Sequence, residues 1–162
     1  MDIVWEELTS GLPDKRQLVH FLIRLMAASV LGAVVGWNRE KAGKPAGMRT
    51  HILVCLGTSV FILACSGVGM SSDALSRVIQ GIVTGIGFLG AGSILKLNEE
   101  RDIQGLTTAA GVWMTAAIGV AVGLGTLGVA LLSTFFTLIV LALAGPFEHR
   151  TEKRQAEKAR DL

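Results

Sequence analysis

The stretch LTTAAGVWMTAAIGVAVGLGTLGVALLSTFFTLIVLALA, residues 106–144, contains no charged side chain. A helix needs only about 20 residues to cross the hydrocarbon core of a bilayer. The stretch is therefore too long for one span and of the right length for two. Gly123-Leu124-Gly125 supplies the break, a tight turn between spans of about 106–122 and 124–144. Strands of a membrane barrel would be about ten residues long and alternate in polarity. These runs are continuously apolar, so the segments are read as helices, which satisfy their own backbone hydrogen bonds in lipid.

Upstream, three further apolar segments cover about 18–37, 50–68 and 78–95. The expected fold is all-α: a polytopic membrane protein with about five transmembrane helices and glycine-rich packing. The 162 residues suffice for one domain. Residues 1–17 form an N-terminal segment, 18–145 the membrane domain and 146–162 a charged tail. The chain is 51% hydrophobic, and its charges crowd into the termini and three connecting segments. A soluble protein spreads charge over every surface helix, whereas this block pattern suits a lipid-embedded chain. The N-terminus carries Asp2, Glu6 and Glu7 where a signal peptide needs basic residues, so the first segment is expected to be retained as a span.

Short-loop Lys and Arg set the orientation. The first loop holds Arg39, Lys41, Lys44 and Arg49, and the second only Arg77. The third holds Lys96 and Arg101, the fourth none, and the tail Arg150, Lys153, Arg154, Lys158 and Arg160. Loops one and three share a side with the tail, and that side is expected to be cytoplasmic. The N-terminus then faces outward, to the periplasm of a bacterium. The tail mixes both signs, as in a solvated helix with i,i+4 pairs such as Lys153 and Glu157.

Several apparent signals carry no chemistry. Gly85-Ile-Gly87-Phe-Leu-Gly90 matches a dinucleotide pattern but lies inside an apolar span, without the preceding strand it requires. Ser93-Ile-Leu-Lys96 lacks the remainder of a β-lactamase signature. His20, His51 and His149 are scattered. Cys55 and Cys65 would stand about 15 Å apart along one helix, too far for a disulfide. The net charge of +2, with no basic run interleaved with aromatics, gives no basis for nucleic-acid binding. No nucleophile–base pair can be assembled, so neither an enzyme nor a nucleotide or other cofactor is expected.

Glycine is the strongest positive signal. Gly81, Gly85, Gly87, Gly90 and Gly92 fall in span three. Gly32 and Gly36, Gly81 and Gly85, and Gly119 and Gly123 each form GxxxG, which lets helix backbones approach closely in lipid. Glycines on more than one face of span three also leave open a locally unwound helix lining a site. Arg24 lies about 9 Å into span one. It either snorkels to the interface or meets a carbonyl, hydroxyl, loop acid or anion, because no Asp or Glu lies in any assigned span. A dehydrated magnesium ion wants carboxylate oxygens. The nearest acids are Glu40, Glu99, Glu100 and Asp102 on the expected cytoplasmic side and Asp73 outside, so the metal ligands, if any, are unknown. Gly105-Leu-Thr107-Thr108 opens span four. Its threonines either cap the helix or help its N-terminus face a polar or anionic partner, and Trp113 follows as packing.

The residues Arg24-Leu25, Gly32-Ala-Val-Val-Gly36, Asn38-Arg39-Glu40, Lys44-Pro-Ala-Gly-Met-Arg49-Thr-His51, Gly85-Ile-Gly-Phe-Leu-Gly-Ala-Gly92 and Gly105-Leu-Thr-Thr-Ala-Ala110 with Trp113 resemble the MgtC/SapB family of bacterial membrane proteins. The resemblance implies a five-span, multi-pass inner-membrane domain linked to growth in low magnesium, virulence and acid resistance, and to modulation of other membrane machines. The family usually has Glu-Arg where this chain has Asn38-Arg39. Many members continue into a soluble C-terminal domain; this chain ends at Leu162, so regulation through such a domain is not expected.

Two functions follow as expectations. The first is a regulator of magnesium homeostasis and stress adaptation, acting by helix–helix association. Its partners would be the bilayer, a homo-oligomer with a dimer favoured, and a partner membrane complex; bulky residues at Gly32 or Gly85 would disrupt assembly. The second is a channel or transporter for Mg²⁺ or H⁺, with a pathway between spans one, three and four lined by Arg24, Thr84, Thr107 and Thr108. Arg39, Glu40, Arg49, His51 and Trp113 complete the candidate residues.

Overall fold

The computed structural model describes residues 3–4, 14–97 and 102–158, with side chains described for 3–4, 14–94 and 104–143. The charges of the 98–101 loop and of the tail lie outside the described side chains. Five long helices follow one another: α1 (Lys15–Lys41), α2 (Met48–Gly67), α3 (Ser72–Gly92), α4 (Leu106–Gly123) and α5 (Leu127–Lys158). Between α3 and α4 the chain makes a small hairpin that an all-α reading did not contain. Its strands β1 (Leu95–Leu97) and β2 (Asp102–Gln104) pair antiparallel, Lys96 opposite Ile103. Among the described residues α1 to α4 are long and apolar enough to cross a membrane, and α5 contributes the shorter apolar run Leu127–Leu143.

Local chemistry sets the helix ends. The Asp14 carboxylate accepts from the Lys15 backbone N–H at α1, and Ser71 Oγ accepts from Ala74 N–H at α3. Such oxygens satisfy donors that the first turn leaves unpaired. The first turn of α2 is capped from outside its own sequence: Glu40 Oε2 accepts from Met48 N–H at 2.9 Å. Left-handed glycines close α2 and α4. Gly69 (φ 66°) lets Gly69 N–H reach Ser66 O and Met70 N–H reach Cys65 O; Gly125 (φ 83°) does the same with Val122 O and Ala121 O. Paired bonds of this kind are the usual way a helix C-terminus shields its last carbonyls.

Packing centres on α2 and α4. Helix α1 lies along α2, and both lie along α4; α5 packs on α4 and α1, while α3 packs mainly on α4 with a slighter contact to α2. The shared core is Ala28, Leu31 and Val35 of α1, Cys55 of α2, Ile118 and Val122 of α4, and Ala130 and Leu141 of α5. Two glycine pairs bring these backbones together. A Cβ on Gly36 would stand 2.5 Å from Met48 Cα, and one on Gly32 2.7 Å from His51 O. A Cβ on Gly119 would overlap Thr58 Oγ1 and Cys55 O, and one on Gly123 would stand 2.7 Å from Ile62 Cβ. Helix α2 is thus gripped on one side by α1 and on the other by α4. In lipid such contact rests on dispersion, because no hydrophobic effect drives apolar helices together.

The span-three glycines differ. Cβ atoms on Gly81, Gly85, Gly87 and Gly92 would meet nothing within 4 Å, and one on Gly90 would make only ordinary contact with Ala109. Helix α3 is continuous from Ser72 to Gly92, with no unwound turn. Exposed apolar side chains such as Phe61, Phe88, Leu131 and Phe136 cover the outer surface, as a lipid-facing bundle requires.

Candidate functional site

Three polar or small-residue features stand out against this apolar frame. The first lies where the last turn of α1 meets the first turns of α2 and α4. Arg39 is only 3% exposed, and its Nη2 donates to Thr108 Oγ1 at 3.0 Å. The cation sits in the last turn of α1, where the negative end of the helix dipole favours it. His51 is wholly buried one helix away. Its Nδ1 lies 2.9 Å from Gly47 O. A carbonyl can only accept, so Nδ1 carries a proton and donates it to Gly47 O. Nε2 has no hydrogen-bond partner among the described residues, and a Cβ on Gly111 would stand 3.7 Å from it. Glu40, exposed at the rim, anchors the α2 N-terminus. Gly105 closes the α3–α4 connection: its φ is 95°, and a Cβ there would collide with Ser93 O. Both constraints demand glycine.

The second feature lies at the opposite end of the same helices. Arg24 Nη1 donates to Gly123 O at 2.9 Å, and the guanidinium lies where a Cβ on Gly125 would be, 2.5 Å from Nη2. Between the two expectations for Arg24, snorkelling or an internal partner, the geometry gives a carbonyl partner. A crevice of about 290 Å³ opens beside it, lined by Gln17, His20, Phe21, Arg24, Ser66 and Gly67. The third feature is an apolar groove of about 600 Å³ between α2 and α3, lined in part by Gly57, Gly81 and Gly85.

Of the residues singled out from sequence, Arg39, Glu40, His51 and Thr108 gather around one end. Thr107 is half-buried beside Thr108, and Arg49 is exposed on the first turn of α2. Arg24 is separated from Thr108 by the length of α4, about 22 Å at 1.5 Å per residue. Thr84 faces outward from α3 and returns its hydroxyl to Gln80 O. Trp113 is 47% exposed on the outer face of α4. Helices α1 and α3 make little or no contact with each other, and the chain does not bring Arg24, Thr84, Thr107 and Thr108 together. Sequence reasoning passed over Ser59, which is fully buried with Oγ unpartnered among the described residues. It also passed over Thr58 and Thr115, whose hydroxyls bond to their own helices. The available signal was the spacing of His51, Cys55, Ser59 and Ile62, one stripe of α2. Among the described residues no three His, Cys, Asp or Glu side chains stand together to hold a metal.

A family profile, that of the MgtC family, matches residues 25–150, a stretch that takes in the buried Arg39–Thr108 contact and His51. The chain belongs to the MgtC family. It is 45% identical over 130 residues to Protein SrpB of Synechococcus elongatus, covering 74% of this chain and 71% of that one. It is 40% identical over 132 residues to YhiD of Escherichia coli K12, whose name carries a provisional assignment as a magnesium transporter; 75% of this chain and 59% of YhiD are covered. Protein MgtC of Salmonella typhimurium LT2 is 43% identical over 126 residues, covering 77% of this chain and 53% of that one. The match therefore spans little more than half the length of YhiD and MgtC. No solved structure matches the chain. Membership of the MgtC family and the apolar helices make it a multi-pass membrane protein in contact with lipid.

Proposed function

We propose that this MgtC-family chain is a regulator in magnesium homeostasis and stress adaptation, seated in the bacterial inner membrane with its N-terminus outside and its tail in the cytoplasm. It works by helix–helix association and performs no catalysis. The magnesium link is supported by the name of YhiD, a relative matched over 59% of its length. One observation supports association. Gly32, Gly36, Gly119 and Gly123 each meet a neighbouring helix within the chain, whereas Gly81 and Gly85 face the open α2–α3 groove with nothing near. A glycine inside a helix costs up to about 1 kcal/mol relative to alanine and needs a compensating close contact. The contact is supplied by α3 of a second copy, giving a closed two-fold dimer. Gly32 is already engaged against His51 O, so a bulky residue there would disrupt the fold before any assembly. The test is oligomer mass in lipid nanodiscs. Gly85→Leu is expected to give monomer with unchanged unfolding; an unchanged dimer removes this face, and pull-down of another membrane complex by the monomer would make that complex the partner.

A second function, passage of Mg²⁺ or H⁺, is supported by the buried Nε2 of His51, which has no hydrogen-bond partner among the described residues. Such a route would run between α1, α2 and α4. Proteoliposomes with internal Mg²⁺ and H⁺ indicators decide it. Saturable flux lost in His51→Ala and Arg24→Ala would make the protein a transporter, and absence of flux from folded protein under either gradient would leave regulation.

A further inference from the structure

We propose that the crevice beside Arg24 is a binding site for a phosphate-type oxyanion, most simply the headgroup phosphate of an anionic lipid. Gln17, His20, Phe21 and Arg24 stand at i, i+3, i+4 and i+7, one face of α1, and this face lines the crevice opposite Ser66 and Gly67 of α2. Arg16, His20 and Arg24 repeat every four residues and form a stripe that runs from the helix end down to the crevice.

The charge at the bottom of the stripe is incompletely matched. Among the described residues Arg24 donates to a single acceptor, Gly123 O. A guanidinium has five N–H donors, and a neutral carbonyl supplies only part of a counter-charge. The carbonyls of Cys65 and Ser66 at the α2 terminus already accept from Met70 and Gly69 N–H. The described acids at this end, Asp14 and Asp73, are not among the lining residues. Charge inside a membrane is costly unless it is paired, and a phosphate oxygen pairs with guanidinium through strong, charge-assisted hydrogen bonds. His20 and Gln17 add donors at the mouth. A volume of about 290 Å³ holds a phosphate ester and not a second helix. On the far side of α1, Leu22, Ile23 and Met26 are half or more exposed, which sets this end of the helix against lipid.

The experiment is native mass spectrometry of the full chain from detergent mixed with phosphatidylglycerol or phosphatidylcholine. Wild type is expected to retain phosphatidylglycerol selectively. Arg24→Gln, and independently the exposed-site double variant Gln17→Ala/His20→Ala, should lower retention by about tenfold, a difference readily resolved as an affinity change. Arg49→Ala, at the other end of the bundle, should leave it unchanged. The double variant keeps the Arg24–Gly123 bond, so it tests the site even if Arg24→Gln fails to fold. If sodium phosphate raises the unfolding temperature of wild type but not of the double variant, with no preference between the lipids, the site stands and its ligand is a free oxyanion. Equal retention by wild type and the double variant together with no phosphate effect, or equal loss in Arg49→Ala, overturns the proposal.

Discussion

Arg39 and Thr108 are 69 residues apart in the chain and meet as buried donor and acceptor at 3.0 Å. The bond ties the last turn of α1 to the first turn of α4, at the end where α2 also begins. Its strength comes from the charge on the donor and the dryness of the setting.

Thr108→Val removes that acceptor at constant shape. A hydrogen bond to a charged group contributes about 1.5–3 kcal/mol, and loss of that order is expected in a reversible unfolding titration. Thr84→Val, whose hydroxyl bonds only within its own exposed turn, should move stability by no more than about 0.5 kcal/mol.

Gly119→Ala puts a methyl group onto Thr58 Oγ1 and Cys55 O. Overpacking of a tight contact costs about 1–3 kcal/mol. Adding Thr58→Ala should restore part of that loss and not all, since the Cys55 carbonyl remains. Gly85→Ala, with open space around it, should leave unfolding of the monomer unchanged or slightly delayed.

Gly105→Ala must place a side chain at φ 95° against Ser93 O. A non-glycine residue held in such backbone costs about 1–3 kcal/mol before the collision is counted. Earlier unfolding is expected, together with faster proteolysis of the α3–α4 connection.

Cys55 is fully buried and Cys65 nearly so. Neither should react with a membrane-permeant maleimide in the folded protein, and both should react once the bundle is opened in denaturing detergent. Labelling of Cys55 at the native rate of an exposed thiol would contradict the packing of α2 against α1.

These contacts also show what the sequence could carry. Helices α1 to α4 were legible because apolar runs of this length with at most one charge have few other uses, and the Gly123–Gly125 break was legible because glycine marks left-handed backbone. The three GxxxG pairs look alike in sequence, yet two are closed within the chain and one is open; which face meets a neighbour depends on how helices far apart in the chain rotate. The sequence left the partner of Arg24 open among a carbonyl, a hydroxyl, a loop acid and an anion, because a backbone carbonyl has no residue signature. The β1–β2 hairpin escaped notice because three-residue strands leave no periodicity to count.

Helix α4 touches all four of its companions, and it is the fourth to be made. A ribosome delivering this chain releases three spans into the bilayer before their centre exists. By then α1 and α2 can already pair through Gly32 and Gly36, but α3 has little to hold it until residues 106–123 arrive and wedge between it and the first two. Until then the main hold on α3 is its slight contact with α2, so a chain cut short before residue 106 is expected to leave its third helix loosely docked.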